Sequence, residues 1–307
     1  MRRRQVDQPT DICGDVPLSW KERRRYLRYG LQQIAESLKD GVRAQSYRCS
    51  LDQEVVRAKV LQGASPLRVY TCALADELGS ELMRLPGPIG DIGCGSGEHS
   101  RFFTGVNGDR FYIGIDAVFR PQWSQQRTES SLPRRFVQTS VTNLGFASNS
   151  LACTFSSSTL EHVSDTPKAI QELARAMRPG AYGLHIVPGV WSLFLYMFHG
   201  YRRFSCRVLT EAFTQEGLEV VRTWSLGGLA SFLLHGVWIT WLEQGAVYGW
   251  LLTPPEQQRR WWHLYVGTRM RRGPLLRAYS QLLRLALRLD RWVPHCPMGY
   301  GFLVQKR

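Results

Sequence analysis

Apolar residues follow two rhythms along this chain. Short continuous apolar runs bounded by turn residues mark buried strands, and apolar groups recurring every three or four residues mark helices. Between residues 85 and 226 the two rhythms alternate. Pro88–Ile92, Phe111–Asp116, Arg135–Thr139, Leu151–Ser158, Tyr182–Val187 and Leu218–Leu226 predict six strands, and Asn107-Gly108 predicts a turn before the second. Ile170, Leu173, Ala174 and Met177 recur at i, i+3, i+4, i+7 and predict a helix ahead of the fifth strand. Thr166 as cap and Pro167 in the first helical position predict its start, and Arg178-Pro179-Gly180 its stop. Gly301–Lys306 reads as a last strand. Strands alternating with helices predict an α/β, doubly wound, Rossmann-like sheet, mostly parallel, with helices on both faces.

The flanks read differently. Residues 1–84 form a helical extension in which Trp20–Leu38 has apolar groups at helical spacing, with Lys21, Arg23, Arg24, Arg25 and Arg28 clustered early. Residues 227–297 separate the last two strands and contain Trp238, Trp241, Trp250, Trp261, Trp262 and Trp292. A loop of that length is functional or has structure of its own, so a helical insertion is expected there. Residues 85–226 are then the core, and residues 298–307 its final strand. Two apolar runs, Val190–His199 and Leu226–Leu242, fall short of the ~20 residues that span a bilayer. In the helix predicted over Pro274–Trp292, Leu275, Leu276, Tyr279, Leu282, Leu283 and Ala286 share one side, and Arg277, Arg284, Arg288 and Arg291 share another. Such a helix serves as a lid with its apolar face buried internally, or lies on an anionic membrane surface.

The segment Pro88-Ile89-Gly90-Asp91-Ile92-Gly93-Cys94-Gly95-Ser96-Gly97-Glu98 carries the chemistry. It reads as a strand with an acidic residue near its end, a glycine-rich turn and a helix start. Three glycines at alternate positions let a ligand lie against the backbone, and the helix N-terminus would offer free N–H groups to a carboxylate or phosphate. A dinucleotide fingerprint would have Gly where Glu98 stands, and a P-loop would have Gly-Lys-Ser/Thr. A carboxylate ahead of the turn repels pyrophosphate and suits a cationic ligand. About 20 residues past such a loop, an acidic residue accepts ribose hydroxyls, and Asp116 has that spacing from Gly93.

Asp-x-Gly-x-Gly-x-Gly over Asp91–Gly97, Leu-Glu-His-Val over Leu160–Val163 and Leu-Ala-Arg-x-Met-Arg-Pro-Gly over Leu173–Gly180 resemble class I S-adenosylmethionine-dependent methyltransferases, in particular their small-molecule and quinone-biosynthesis branch. The resemblance covers about residues 85–226 and the last strand. It implies a seven-stranded sheet with the last strand antiparallel, and S-adenosylmethionine as cofactor. It also implies contacts from Asp91, Gly93, Cys94, Gly95 and Gly97 to the methionine portion, from Asp116 to the ribose, and from Ser140 and Val141 around adenine, with Ser157 lining the same site. The family usually has Asp where Ser140 stands, so the adenine contact here is weaker. Ser156-Ser157-Ser158 replaces the Asn/Asp-Pro-Pro-aromatic motif of DNA amino-methyltransferases. His162 is the candidate base for an oxygen acceptor, because it follows the fourth strand and titrates near neutrality; a structural role is the alternative. His185 reads as a core histidine, and Tyr70 as a packing or cofactor-side residue.

Charge and cysteines set the remaining bounds. The net charge of +14 fits a basic surface or an anionic partner. The seven cysteines show no Cys-x-x-Cys pair and no metal-ligand spacing, so neither a disulfide framework nor a metal is expected. The N-terminus lacks the apolar stretch of a signal peptide, and a cytoplasmic protein is expected, with peripheral membrane contact left open. The expected reaction is methyl transfer to an O or C acceptor on a small molecule, prenyl or lipid-linked or glycan-type. Nucleic acid is the less favoured partner because no RNA-binding module flanks the core, and a non-catalytic cofactor-binding scaffold is the other alternative. No motif speaks to the oligomeric state.

Overall fold

A computed structural model describes residues 12–16, 18–39, 44–50, 64–103, 110–126, 133–196, 198–243 and 273–307. The expected Asn107-Gly108 turn, Trp250, Trp261 and Trp262 lie outside the described residues. Eight strands form one sheet: β1 (Gln45–Ser46), β2 (Pro88–Ile92), β3 (Phe111–Asp116), β4 (Arg134–Gln138), β5 (Leu151–Ser157), β6 (Met177–Pro188), β7 (Leu218–Leu226) and β8 (Gly299–Lys306). Their spatial order is β1-β7-β8-β6-β5-β2-β3-β4. The expected seven become eight because two residues after the first helix add an edge strand, tied on by Tyr47 N–H donating to the Ser225 carbonyl.

β2 pairs in parallel with both β3 and β5, and the β3–β4 and β5–β6 pairs are also parallel. The chain therefore builds outward from β2 through β3 to β4, then returns to the other side of β2 for β5 and β6. That reversal is the topological switch point, outside whose carboxyl ends such sheets bind ligands. β8 runs against its neighbours. Its start lies beside the end of β6, where Gly189 N–H donates to Met298 O, and its end lies beside the start of β6, where Lys306 Nζ donates to Met177 O.

The main helices are α1 (Trp20–Leu38), α2 (Pro66–Glu77), α3 (Thr166–Ala176), α4 (Cys206–Gln215) and α5 (Gly273–Leu289). α1 opens on a capping box: the Ser19 N–H donates to Glu22 Oε2 at 2.7 Å, and the Ser19 hydroxyl accepts from Glu22 N–H at 3.4 Å. For α3 the cap is Asp165, not Thr166. Its carboxylate accepts from Lys168 N–H at 3.0 Å, while Thr166 turns inward and donates to the Val163 carbonyl. Asp outcompetes Thr here because a carboxylate is the stronger acceptor for an orphan helix amide. α3 ends at Ala176, ahead of Arg178-Pro179-Gly180, which is already strand. β6 begins at Met177, opposite Leu151, and a register irregularity absorbs the turn residues.

Two compact units arise from interleaved segments. One comprises Leu74–Val187, Cys206–Trp224 and Gly301–Arg307, and the other Met1–Ala73, Pro188–Ser205 and Ser225–Tyr300. The first contains most of the sheet. Its centre is apolar, with Ile92, Phe103, Tyr112, Ile115, Phe155, Leu173 and Leu184 buried. In the second unit, α1 packs Tyr26 and Ile34 against Ile12, Leu18, Val190, Leu193 and Phe198. Gly30 lets α1 approach closely there: a Cβ would lie 2.5 Å from Leu193 Cδ2, and the leucine would have to shift. A buried carboxylate joins three segments of the same unit: Asp290 accepts from the Tyr70 hydroxyl at 2.8 Å and from Ser231 N–H at 3.1 Å. Tyr70 is thus a packing residue bonded to Asp290. α5 buries Tyr279, Ser280, Leu283, Ala286 and Leu287. Leu275 and Leu282, which the spacing groups with that face, are exposed. The helix is rotated so that its inner face centres on Leu283, because Tyr279 must reach the Ala64 carbonyl (2.8 Å) and the Trp238 ring.

His185 is fully buried on β6, with Nδ1 2.8 Å from the Ser156 hydroxyl and Nε2 3.4 Å from the Thr154 hydroxyl. Burial penalises its charged form and pushes its pKa down to about 3. Below the unfolded value of 6.5 the unfolded chain binds a proton that the native state does not. Stability from neutral His185 is therefore present above 6.5 and is lost as pH falls toward about 3. His185→Gln keeps a hydrogen-bonding side chain without the titration. Its unfolding free energy, from urea melts across that pH range, should decline less steeply than that of the wild type; equal slopes would show that His185 does not contribute.

Candidate functional site

At the switch point the turn after β2 takes an unusual backbone path. Gly93, Gly95 and Gly97 all have positive φ, at 73°, 55° and 86°. Side chains with a Cβ rarely adopt this region, which accounts for glycine at alternate positions. The Gly93 and Cys94 amides both donate to the Ile115 carbonyl at the end of β3, at 2.7 and 2.9 Å. The Gly95 amide donates to Asp116 Oδ2 at 2.9 Å, and the Gly97 amide to Cys94 O at 2.9 Å. The helix expected to follow is a six-residue 3₁₀ turn, Glu98–Phe103. Four loop amides are thus spent within the turn and the adjoining strand. Closing the left-handed turn consumes them, and the helix N-terminus expected to offer free N–H groups is a 3₁₀ turn.

What the turn presents instead is space and negative charge. A Cβ on Gly95 would meet nothing within 4 Å. Asp91 is fully buried; its Oδ2 accepts from the Tyr112 hydroxyl at 2.5 Å and lies 3.4 Å from His99 Nδ1. Its Oδ1 is buried with no hydrogen-bond partner. An orphan carboxylate oxygen costs free energy unless a donor arrives. Asp116, half-buried, accepts from Gly95 N–H on one oxygen and from Val118 N–H on the other. Each oxygen keeps a second lone pair for a hydroxyl donor. Burial beside Asp91 and Asp116 pushes the Cys94 thiol pKa well up, so it stays protonated. Its sulfur points at Gly114, where a Cβ would lie 2.9 Å away. Cys94 therefore offers the site only backbone.

The other expected residues lie on the same unit. Val141 is buried, and Ser140 is exposed with its hydroxyl 2.8 Å from that of Thr142. Ser157 ends β5 half-buried, its carbonyl accepting from Thr159 at 3.3 Å. His162 follows in a 3₁₀ turn, half-buried, with Nε2 3.7 Å from Oε1 of the fully buried Glu161. Four supporting residues escaped sequence reasoning. Tyr112 and His99 converge on Asp91. Thr159 donates to the Ile92 carbonyl at 2.9 Å and packs where a Gly93 side chain would go. Trp123 stacks on Phe136 and donates to the Gly95 carbonyl at 2.8 Å. Tyr112 alone left a signal, as a phenol inside a buried strand that must find a partner.

Residues 90–184 match the family model described as a methyltransferase domain. No curated protein sequence matches the chain. Among solved structures, the 4+2 cyclase SpnF aligns at 16% identity over 95% of this chain and 97% of its own, with a TM-score of 0.50. The cyclopropane synthase MmaA2 from Mycobacterium tuberculosis aligns at 14% identity over 85% of this chain and 90% of its own, also at 0.50. At such identity the likeness concerns the fold alone.

The glycine geometry makes a graded prediction. Gly95→Ala has room and should cost only the left-handed backbone, about 1–2 kcal/mol. Gly93→Ala adds a Cβ 2.2 Å from Thr159 Oγ1 and should cost clearly more. Replacing Thr159 by Ala should shrink that difference in chemical denaturation, and equal costs with Thr159 present would refute the steric account. A left-handed three-glycine turn, a buried carboxylate with one unpaired oxygen and a second acid on β3 all stand inside residues 90–184, the segment that matches the methyltransferase-domain model.

Proposed function

We propose that this protein transfers a methyl group to an oxygen or carbon of an apolar small molecule, prenyl or lipid-linked in character. The observation that carries the cofactor part is the unpartnered, buried Asp91 Oδ1 beside the open Gly95 turn. S-adenosylmethionine supplies an electrophilic methyl group on a positively charged sulfur and carries an ammonium group and a ribose diol. The residues present fit it. Asp91 would accept from the ammonium group, Gly93, Cys94, Gly95 and Gly97 would pass it along bare backbone, and Asp116 would accept a ribose hydroxyl. Ser140 and Val141 would border the adenine, with Ser157 at the strand end beside them. Loop amides already committed to Ile115 and Asp116 leave a pyrophosphate few donors, which favours this cationic ligand.

The protein's share of the reaction is alignment and proton handling. For an oxygen acceptor, His162 would take the hydroxyl proton, and the neighbouring Glu161 would pair with the imidazolium. The apolar character of the acceptor is inferred from composition. Leu229–Leu242 contains no Asp, Glu, Lys or Arg, and Phe194, Leu233, Val237 and Trp241 are exposed.

Two substitutions should separate binding from chemistry. Asp91→Asn should weaken S-adenosylmethionine binding about tenfold or more in calorimetry, since a hydrogen bond to a charged group contributes about 1.5–3 kcal/mol. His162→Gln should leave that affinity unchanged and lower kcat, with loss of the acidic limb of its pH profile; an unaltered kcat would remove His162 as base. The acceptor itself is tested by incubating the protein with methyl-labelled S-adenosylmethionine and a host-cell extract. Label should enter the organic phase, whereas label confined to nuclease-sensitive material would replace this reading with RNA methylation.

A further inference from the structure

α5 has three faces where a helix docked on a core needs two. Tyr279, Ser280, Leu283, Ala286 and Leu287 are buried. Arg277, Arg284, Arg288 and, just beyond the helix, Arg291 form a basic strip beside them; Arg291 also donates to the Cys49 carbonyl at 3.1 Å. On the remaining side Leu275, Ala278, Leu282, Leu285 and Leu289 are all exposed, at alternating spacings of three and four residues. Trp292 continues the spacing and is 84% exposed. This stripe is about 25 Å long and is apolar at every step. The adjacent helix Leu229–Leu234 and its π-helical continuation His235–Glu243 add exposed Leu233, Val237, Trp241 and Leu242. They pack beside α5 through Trp238 and Tyr279, whose ring centroids are 5.6 Å apart.

We propose that the outward face of α5, with Trp292 at its end, docks on an anionic lipid membrane surface. Charge decides among the occupants. α5 contains no acidic residue, and the nearest, Asp290, is buried and bonded to Tyr70 and Ser231. A second copy packed on this stripe would set arginine strip beside arginine strip, and like charges destabilise such a seam. Anionic headgroups neutralise the strip while the leucines enter the acyl boundary, and each arginine near such a surface contributes about 1 kcal/mol. Tryptophan at the end of the stripe suits the interface between water and lipid. Among the described residues no helix is long and apolar enough to cross a membrane, so this face lies along the surface.

Flotation of the full chain with two vesicle types tests this. The wild type should float with phosphatidylcholine vesicles containing phosphatidylglycerol, stay behind with phosphatidylcholine alone, and release as salt rises. Leu282→Glu with Leu285→Glu, and separately Arg277→Glu with Arg288→Glu, should each weaken binding at least about tenfold. Trp292→Ser, at a site too exposed to affect folding, should weaken it as well. Affinity for S-adenosylmethionine should stay at the wild-type value in all three. A wild type that floats with neither vesicle overturns the proposal, and so does a leucine variant that floats like the wild type. A wild-type dimer in sedimentation velocity that the leucine variant makes monomeric also overturns it, assigning the face to self-association.

Discussion

The carbonyl of Ile115 accepts from two consecutive amides, those of Gly93 and Cys94, and the next residue, Asp116, accepts from the third. These three bonds fasten the turn after β2 to the end of β3, and the site follows from them. To reach one acceptor with successive amides the backbone must curl left-handed, which restricts the sequence to glycine at alternate positions. With the amides used inward, the outer surface of the turn is bare, and its electrostatics are those of the two carboxylates flanking it. Asp116 itself accepts one of these amides and so helps to build the turn.

Support for this turn comes from aromatic and hydroxyl side chains. Tyr112 holds one oxygen of Asp91 and leaves the other buried and unmet. A buried carboxylate with half its acceptors unsatisfied is tolerated in a folded protein where a ligand completes the set. Trp123 and Thr159 brace the turn through the Gly95 and Ile92 carbonyls. The turn is therefore held in place by the side chains packed around it. The fold does not choose the acceptor. The second unit departs from an ordinary surface in its tryptophans and in the two apolar faces of α5.

The sheet was largely legible because strand and helix formation here is local. β2, β3 and β7 begin and end where the apolar runs do, and α1 spans Trp20–Leu38 as its periodicity requires. The Ser19–Glu22 capping box fixes the start of that helix. Misreadings cluster at junctions. Asp165 rather than Thr166 caps α3, and Met177 opens β6 instead of closing the helix, because competing acceptors and strand partners settle such ends. Glu98 begins a 3₁₀ turn and not an α-helix.

The sequence by itself determined the alternation of strands and helices, the three glycines with their two acids, and the basic, tryptophan-rich character of residues 227–297. These are properties of neighbours along the chain, governed by side-chain periodicity and by the φ angles each residue allows. Only the tertiary structure decided that Thr159 fills the space beside Gly93, that Tyr112 and His99 share one oxygen of Asp91, and that Leu275 and Leu282 face out while Ser280 faces in. Each of those depends on strand register or helix rotation. Register and rotation are fixed by contacts between residues tens to hundreds of positions apart, such as Tyr279 with Ala64 and Tyr70 with Asp290, which no local pattern records.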